Sequence, residues 1–277
     1  MTSPATPLHP PIVCCISGFD PTGGAGIQAD IEAVNSIGAQ CISLITALTV
    51  QDTHTVYHFQ PVAPDILRAQ ADTLLNDIRP DVFKIGMIGD DSVLDVVLEI
   101  LEKYPNIPVV YDPVFSSGSG TSLSKGDMID RVQRDLLPKV TLCTPNTPEA
   151  KLLGNGSKDL DQCAHDILER GCDGVLITGS HESTPLVENT LYTVGDDPVS
   201  RQWERLPHLY HGSGCTLAAA CAALMSAHLS ISDAALEAQE YTYLALKAGF
   251  AIGQNQWHPD RMYWSRELEE DEDPHVN

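Results

Sequence analysis

Apolar residues along this chain fall into two alternating patterns. Short continuous runs predict buried strands: "IVCCIS" (12–17), "CISLITAL" (41–48), "DVFKIGMI", "IPVVYDP", "VTLCT" and "DGVLITG". Between them lie longer stretches with apolar positions three or four residues apart, which predict helices: "GAGIQADIEAVNSIG", "PDILRAQADTLLNDI", "DSVLDVVLEILEKY", a segment around 125–136, "TPEAKLLG" and "DQCAHDILERG". Several open on a proline or an acidic cap and stop at a glycine. The less regular residues 181–210 predict an antiparallel pair, and two helices, about 214–228 and 231–250, finish the fold. Strands alternating with helices imply βαβ units, hence a doubly wound α/β domain with a largely parallel sheet and helices on both faces. A ligand is then expected at the carboxyl ends of the strands. The expected domain covers 12–265, between a loose leader (1–11) and an acidic tail (266–277).

Composition narrows the class. The chain has 277 residues, 43% of them apolar, enough for a sizeable core. No apolar run approaches the roughly 20 residues of a membrane span, and the start shows no secretory pattern. Sixteen basic against 38 acidic residues give a net charge of −22, which argues against nucleic acid and anionic membrane as partners. Eight cysteines occur without a CxxC pair, so the expected setting is reducing and cytoplasmic. No G-x-x-x-x-G-K-[ST] is present, which excludes a P-loop protein.

The strand ends carry the candidate chemistry. The first strand runs into "GFDPTGGAGIQAD", where glycines let backbone approach a ligand and Gln28 and Asp30 follow. Gln51 stands among apolar and small residues, where an amide reads a heterocycle through one donor and one acceptor. Met87 is placed to pack on a planar ligand. Asp112 ends a buried strand, where a bare carboxylate is costly unless paired or bound to metal. Asn146 and Glu149 lie three apart at a helix start, either as a capping box or, with Asp112, as an all-oxygen set suited to Mg²⁺. The polar loop after Pro113 is long enough to act as a flap. In "HGSGCT", the amides of Gly212, Ser213, Gly214 and Cys215 open a helix and can converge on an anion, and the same location is expected to lower the Cys215 pKa.

Taken in order, "GFDPTGGAGIQAD", "ITALTVQDT", "KIGMIG", "VVYDPV", "TPNTPEA", "VLITGSHE" and "HGSGCTLAAA" resemble the motifs of the ribokinase-like superfamily. Within it they are most similar to the hydroxymethylpyrimidine and phosphomethylpyrimidine kinases of thiamin biosynthesis, from about Ile12 to Gly253. The resemblance implies a three-layer α/β/α sandwich, a homodimer, and ATP with Mg²⁺ as cofactors. It implies phosphorylation of 4-amino-5-hydroxymethyl-2-methylpyrimidine to its monophosphate and then to its diphosphate. By position, Asp30 and Gln51 would read the pyrimidine, Met87 and Val114 would pack on it, and Gly18 and Gly26 would border it. Asp112 and Glu149 would hold the metal. Asn146, Thr178, Gly179 and His211 would face the nucleotide. Gly212, Ser213 and Gly214 would form the anion hole, with Cys215 as the base of the first transfer. Two departures stand out: "DPVFSSGSG" has no lysine before Lys125, and Thr178 stands where many relatives carry lysine. Pyridoxal kinase is the enzyme alternative and a non-catalytic pyrimidine sensor the non-enzyme one; Gln51 with Asp30 favours an aminopyrimidine.

Overall fold

The computed structural model describes residues 9–116, 123 and 127–266. Most of the leader and of the acidic tail, much of the expected flap, and Lys125 lie outside the described residues. Among the described residues, nine strands form one sheet in the order β3-β2-β1-β4-β5-β6-β7-β8-β9. The central six are parallel: β2 (Gln40–Gln51), β1 (Ile12–Phe19), β4 (Val82–Ile85), β5 (Val109–Tyr111), β6 (Leu142–Cys143) and β7 (Gly174–Thr178). Antiparallel strands flank them: β3 (Val56–Pro61) on one edge, β8 (Leu186–Thr193) and β9 (Val199–Glu204) on the other. The expected pair in 181–210 is β8 and β9. β3 lies where the apolar pattern predicts no element, because Val56 and Phe59 are its only buried side chains.

Side-chain alternation splits the core into two layers. Cys14 and Ile16 of β1 face one cluster, Val13 and Cys15 the other. The first cluster is covered by α2 (Pro64–Asp77), α3 (Asp91–Lys103), α4 (Met128–Arg131), α5 (Thr147–Leu153) and α6 (Leu160–Glu169). The second is covered by α1 (Gly26–Ser36), α7 (Ser213–Ser226) and α8 (Ile231–Lys247). This is the expected three-layer sandwich. The helix expected around 125–136 is shorter: α4 passes into a π-helical turn at Val132–Leu136 and a 3-10 turn at Leu137–Lys139.

Helix starts follow local chemistry. Asp90 caps α3 by accepting from the Val93 amide, and Ser230 caps α8 by accepting from the Asp233 amide. α7 is different: ten of its 14 residues are buried, Cys221 among them, and it crosses behind β1, β4 and β5. It is apolar all round because strands cover one side while α1 and α8 cover the rest. Its N-terminus therefore arrives at the carboxyl ends of the central strands. The chain reverses its winding between β1 and β4, which is where a doubly wound sheet opens a crevice.

Candidate active site

A cavity of about 510 Å³ occupies that crevice. Its walls come from the carboxyl ends of, and the segments after, β1 (Gly18 to Asp20), β4 (Met87), β5 (Asp112, Val114), β6 (Thr144, Asn146, Glu149) and β7 (Thr178, Ser180). The start of α1 and residues His211 to Cys215 close one end. Trp203, Leu209, Tyr243 and Leu246 line the other.

Two helix N-termini meet at the closed end. Gly212 caps α7 in the left-handed region, φ +75°, and packs on the turn before α1: a Cβ at Gly212 would stand 2.0 Å from the Gly24 carbonyl oxygen. Only glycine permits that approach. The turn itself is organised by Asp20, which accepts from the amides of Thr22 and Ala25 (2.8 Å each) and from Nε2 of His211 (2.9 Å). Burial opposes ionisation of Asp20, but His211, Thr22 and Ala25 outweigh it and hold its pKa below the usual carboxylate value. His211 thus ties the α7 start to the glycine turn.

A second tie comes from Arg261, whose side chain is 1% exposed. Its guanidinium donates to the Thr216 hydroxyl in the first turn of α7 (2.9 Å), to Glu32 of α1 (2.9 Å), and to the carbonyls of Gly23 and Gly24. The segment carrying it is anchored in turn: Tyr241 and Ser36 donate to the Arg261 carbonyl, and the Trp257 carbonyl accepts from the His211 amide. This strap lies beyond Gly253, where the sequence motifs stop.

Also in the lining, Asn146 and Glu149 form a capping box: the Asn146 side chain accepts from the Glu149 amide (3.0 Å) and Glu149 accepts from the Asn146 amide (2.9 Å). Burial and then the neighbouring Asp112 push the Glu149 carboxyl up to about 8. Burial raises Asp112 too, opposed by Lys84. Asp112 Oδ2 is buried and has no hydrogen-bond partner. Two buried carboxyls, one raised by the charge of the other and one with an orphaned oxygen, are the donor set a divalent cation satisfies. Asp112 and Glu149 therefore fit Mg²⁺.

The structure brings most of the sequence-predicted residues together and corrects three readings. Asp30 does not reach the cavity. It lies in α1 with no exposed side-chain surface and is ion-paired to Lys84 at 2.7 Å. A carboxylate on the buried face of a helix is stable only beside such a partner. Gly179 is turned from the cavity as well: its amide donates to Asn189 and it packs on the Glu188 carbonyl of β8. The third correction concerns the thiol. Cys215 lines the cavity, but its pKa is pushed up to about 12 rather than lowered. Loss of water and then the Asp112 charge raise it, and they outweigh Lys84 and the Gly26 amide.

Gln51 is held by donating from Nε2 to Thr49 (2.8 Å), whose hydroxyl donates to the Phe19 carbonyl (2.9 Å). Met87 packs on Gly18, where a Cβ would stand 3.0 Å from Sδ. Sequence reasoning passed over Lys84, Asn189, Trp203, Gln239 and Arg261. Asn189 and Trp203 both donate to the Gln239 side-chain oxygen (3.1 and 3.2 Å), joining β8, β9 and α8 beneath the open end. A lysine inside an apolar strand run was a readable signal, since a buried ammonium demands a partner.

Comparison with known proteins agrees with this geometry. Residues 20–260 match the family model described as phosphomethylpyrimidine kinase. The chain is 35% identical over 236 residues to the hydroxymethylpyrimidine/phosphomethylpyrimidine kinase of Escherichia coli (strain K12), covering 83% of this chain and 89% of that one. It is 35% identical over 261 residues to the same enzyme of Streptomyces coelicolor (strain ATCC BAA-471 / A3(2) / M145), covering 91% and 95%. Among solved structures, the pyridoxal kinase of Staphylococcus aureus in complex with AMP-PCP and pyridoxal superposes with a TM-score of 0.83 at 26% identity, covering 92% of this chain and 95% of that one. A phosphomethylpyrimidine kinase from Clostridium difficile 630 superposes at 0.73 and 29% identity, covering 84% and 97%. These neighbours share the ribokinase-like sandwich that the motifs imply. Family match, identity across nearly the whole sheet, and a cavity closed by two glycine-bearing helix starts converge: the chain belongs to the phosphomethylpyrimidine kinase family.

Proposed function

We propose that this protein transfers the γ-phosphoryl group of ATP to the hydroxymethyl group of 4-amino-5-hydroxymethyl-2-methylpyrimidine, and then a second phosphoryl group to the monophosphate. The observation that carries this reading is the packing of Gly212 on the Gly24 carbonyl, which sets the starts of α1 and α7 side by side in the cavity lining, with Asp112 beside the α7 start and Glu149 in the same lining. Backbone amides and two helix dipoles then face a cation-holding pair of carboxylates, the arrangement phosphoryl transfer needs. Use of ATP is supported by the structural neighbours, which were solved with AMP-PCP and ADP.

The residues divide the work. Gln51, with Nε2 committed to Thr49, keeps its oxygen to accept from the amino group of the pyrimidine. Met87 and Val114 flank the ring. Gly212, Ser213 and Gly214 receive the transferring phosphoryl group. Asp112 and Glu149 would hold Mg²⁺, which would supply charge neutralisation for the phosphates and offset the Asp112 charge, the second cause after burial of the raised Cys215 thiol. Cys215 would take the proton of the hydroxymethyl group in the first transfer only as its thiolate, the form a bound cation would favour by offsetting the Asp112 charge. The second acceptor is already an anionic phosphate, so that step depends on positioning and charge neutralisation alone.

Two copies of the chain pairing as a homodimer belongs to the same reading; its support is the exposed Leu48, Val50 and Tyr57 on the β2–β3 hairpin. Sedimentation equilibrium tests it.

Pyridoxal phosphorylation is the second reading. It is favoured by the superposition on pyridoxal kinases, which covers more of this chain than that on the Clostridium difficile enzyme. ADP release measured with the aminopyrimidine, its monophosphate and pyridoxal separates the two. Turnover on both pyrimidines, with pyridoxal slower, is expected. Turnover on pyridoxal alone would refute the first reading.

A further inference from the structure

Lys84 is the buried charge that the proposed chemistry does not yet use. Phe83 and Ile85 of β4 pack into the core layer under α2 and α3, so alternation turns Lys84 toward the layer of α1 and α7. Its side chain and that of Asp30 have no exposed surface, and Nζ donates to Asp30 Oδ1 at 2.7 Å. Room for the ammonium is kept by Gly86: a Cβ there would stand 2.9 Å from Nζ. The hydrogen-bond partner of Lys84 is Asp30 on α1, and at longer range its charge acts on Asp112 after β5 and on Cys215 on α7. Those two residues adjoin each other across the α7 start, where a Cβ at Gly214 would stand 3.6 Å from Asp112 Oδ1. One ammonium therefore serves acidic groups from three elements, directly behind the wall on which phosphoryl transfer is placed.

The balance of charge in front of that wall explains the need. Among the described residues lining the cavity, Asp20, Asp112, Glu149 and Glu204 face a single formal cation, Arg205. Arg205 is spent on the carbonyls of Ser180, Glu182 and Thr184. A polyphosphate entering this cavity meets an excess of carboxylates. Stability alone does not require the ion pair, because apolar residues of similar volume replace buried ion pairs at little or no loss.

We propose that Lys84, held in place by Asp30, is a positioning residue for phosphoryl transfer: its buried charge acts through Asp112 beside the α7 start and offsets the carboxylates there. The proposal rests on the kinase reading of the cavity. The test uses the full-length protein in three forms: wild type, Asp30→Leu/Lys84→Met, and Lys84→Gln. Urea unfolding midpoints and kcat and KM for ATP are measured with the hydroxymethylpyrimidine and with its monophosphate. The double variant should unfold cooperatively near the wild-type midpoint, keep KM for ATP within a few-fold, and lose about 10²–10³-fold in kcat on both acceptors, the loss typical of removing one preorganised electrostatic contact. Lys84→Gln, which can still donate to Asp30, should show the same loss in kcat. A folded double variant with kcat within threefold of wild type would overturn the proposal. So would failure of both variants to fold, which would make the pair an element of the fold. A wild-type protein without turnover on either acceptor would instead refute the kinase reading beneath it.

Discussion

Substituting Gly212 by alanine tests whether the contact between the two helix starts sets the catalytic geometry. Two costs follow from the structure. The left-handed φ of +75° is strained for any residue with a Cβ, about 1–2 kcal/mol. The new methyl would also stand 2.0 Å from the Gly24 oxygen and 2.9 Å from Ala25 Cα, so α7 and the glycine turn must separate by roughly 1 Å. Overpacking of that kind costs about 1–3 kcal/mol, for a sum of about 2–5 kcal/mol. A displacement of that size between reacting groups lowers kcat by about 10²-fold. Gly23→Ala separates the two effects: its φ is +76°, yet nothing lies within 4 Å of the added Cβ. It should show the conformational cost alone and near-normal kcat. Urea unfolding and ADP release on the monophosphate acceptor read both quantities. If Gly212→Ala and Gly23→Ala lose equal stability and equal activity, the packed junction of α1 and α7 is not what positions the phosphoryl group.

Cys215→Ala should suppress transfer to the hydroxymethyl group far more than transfer to the monophosphate; equal losses would remove Cys215 as a base. With its thiol near 12, Cys215 in the free protein should be alkylated at pH 8 about 10³-fold more slowly than a free cysteine of pKa about 8.5, as read by site-resolved mass spectrometry. Glu149 has a folded pKa of about 8 against 4.5 unfolded, so its contribution is complete below about pH 4.5 and is lost as pH rises through 8. Glu149→Gln should therefore flatten the fall in urea midpoint across that window, and Mg²⁺ should recover midpoint at pH 8 in wild type but not in Glu149→Gln. Arg261→Met leaves the Gly23 and Gly24 carbonyls and the Thr216 hydroxyl without their donor, and should destabilise by about 3 kcal/mol in urea melts.

The chain displays its sheet plainly. "IVCCIS" and "DGVLITG" are largely apolar because β1 and β7 are covered on both sides, and their shortness marks them as strands. β3 escapes it because "VYHFQP" buries two side chains on an edge strand. The candidate site is legible wherever glycine or a carboxylate sits at a strand end or a helix start, as at Asp112, Gly212 and Glu149. It is not legible where a residue's role depends on a partner distant in sequence. Asp30 reads as a ligand-facing carboxylate until Lys84, 54 residues away, is found against it. Arg261 carries no signal in its own segment, and its role emerges only where the fold lays it across Gly24, 237 residues away. The thiol shift has the same origin: a helix start lowers a cysteine pKa, but the Asp112 charge and lost solvation that reverse it come from packing. Spacing within a motif carries local chemistry, and burial decides what that chemistry becomes.

The most direct test of the central claim is product identity. Purified protein is incubated with ATP, Mg²⁺ and the hydroxymethylpyrimidine, and the products are followed over time by mass spectrometry. The monophosphate should rise first and the diphosphate should follow from it. Accumulation of neither product, while pyridoxal is converted to its phosphate under the same conditions, would contradict the account.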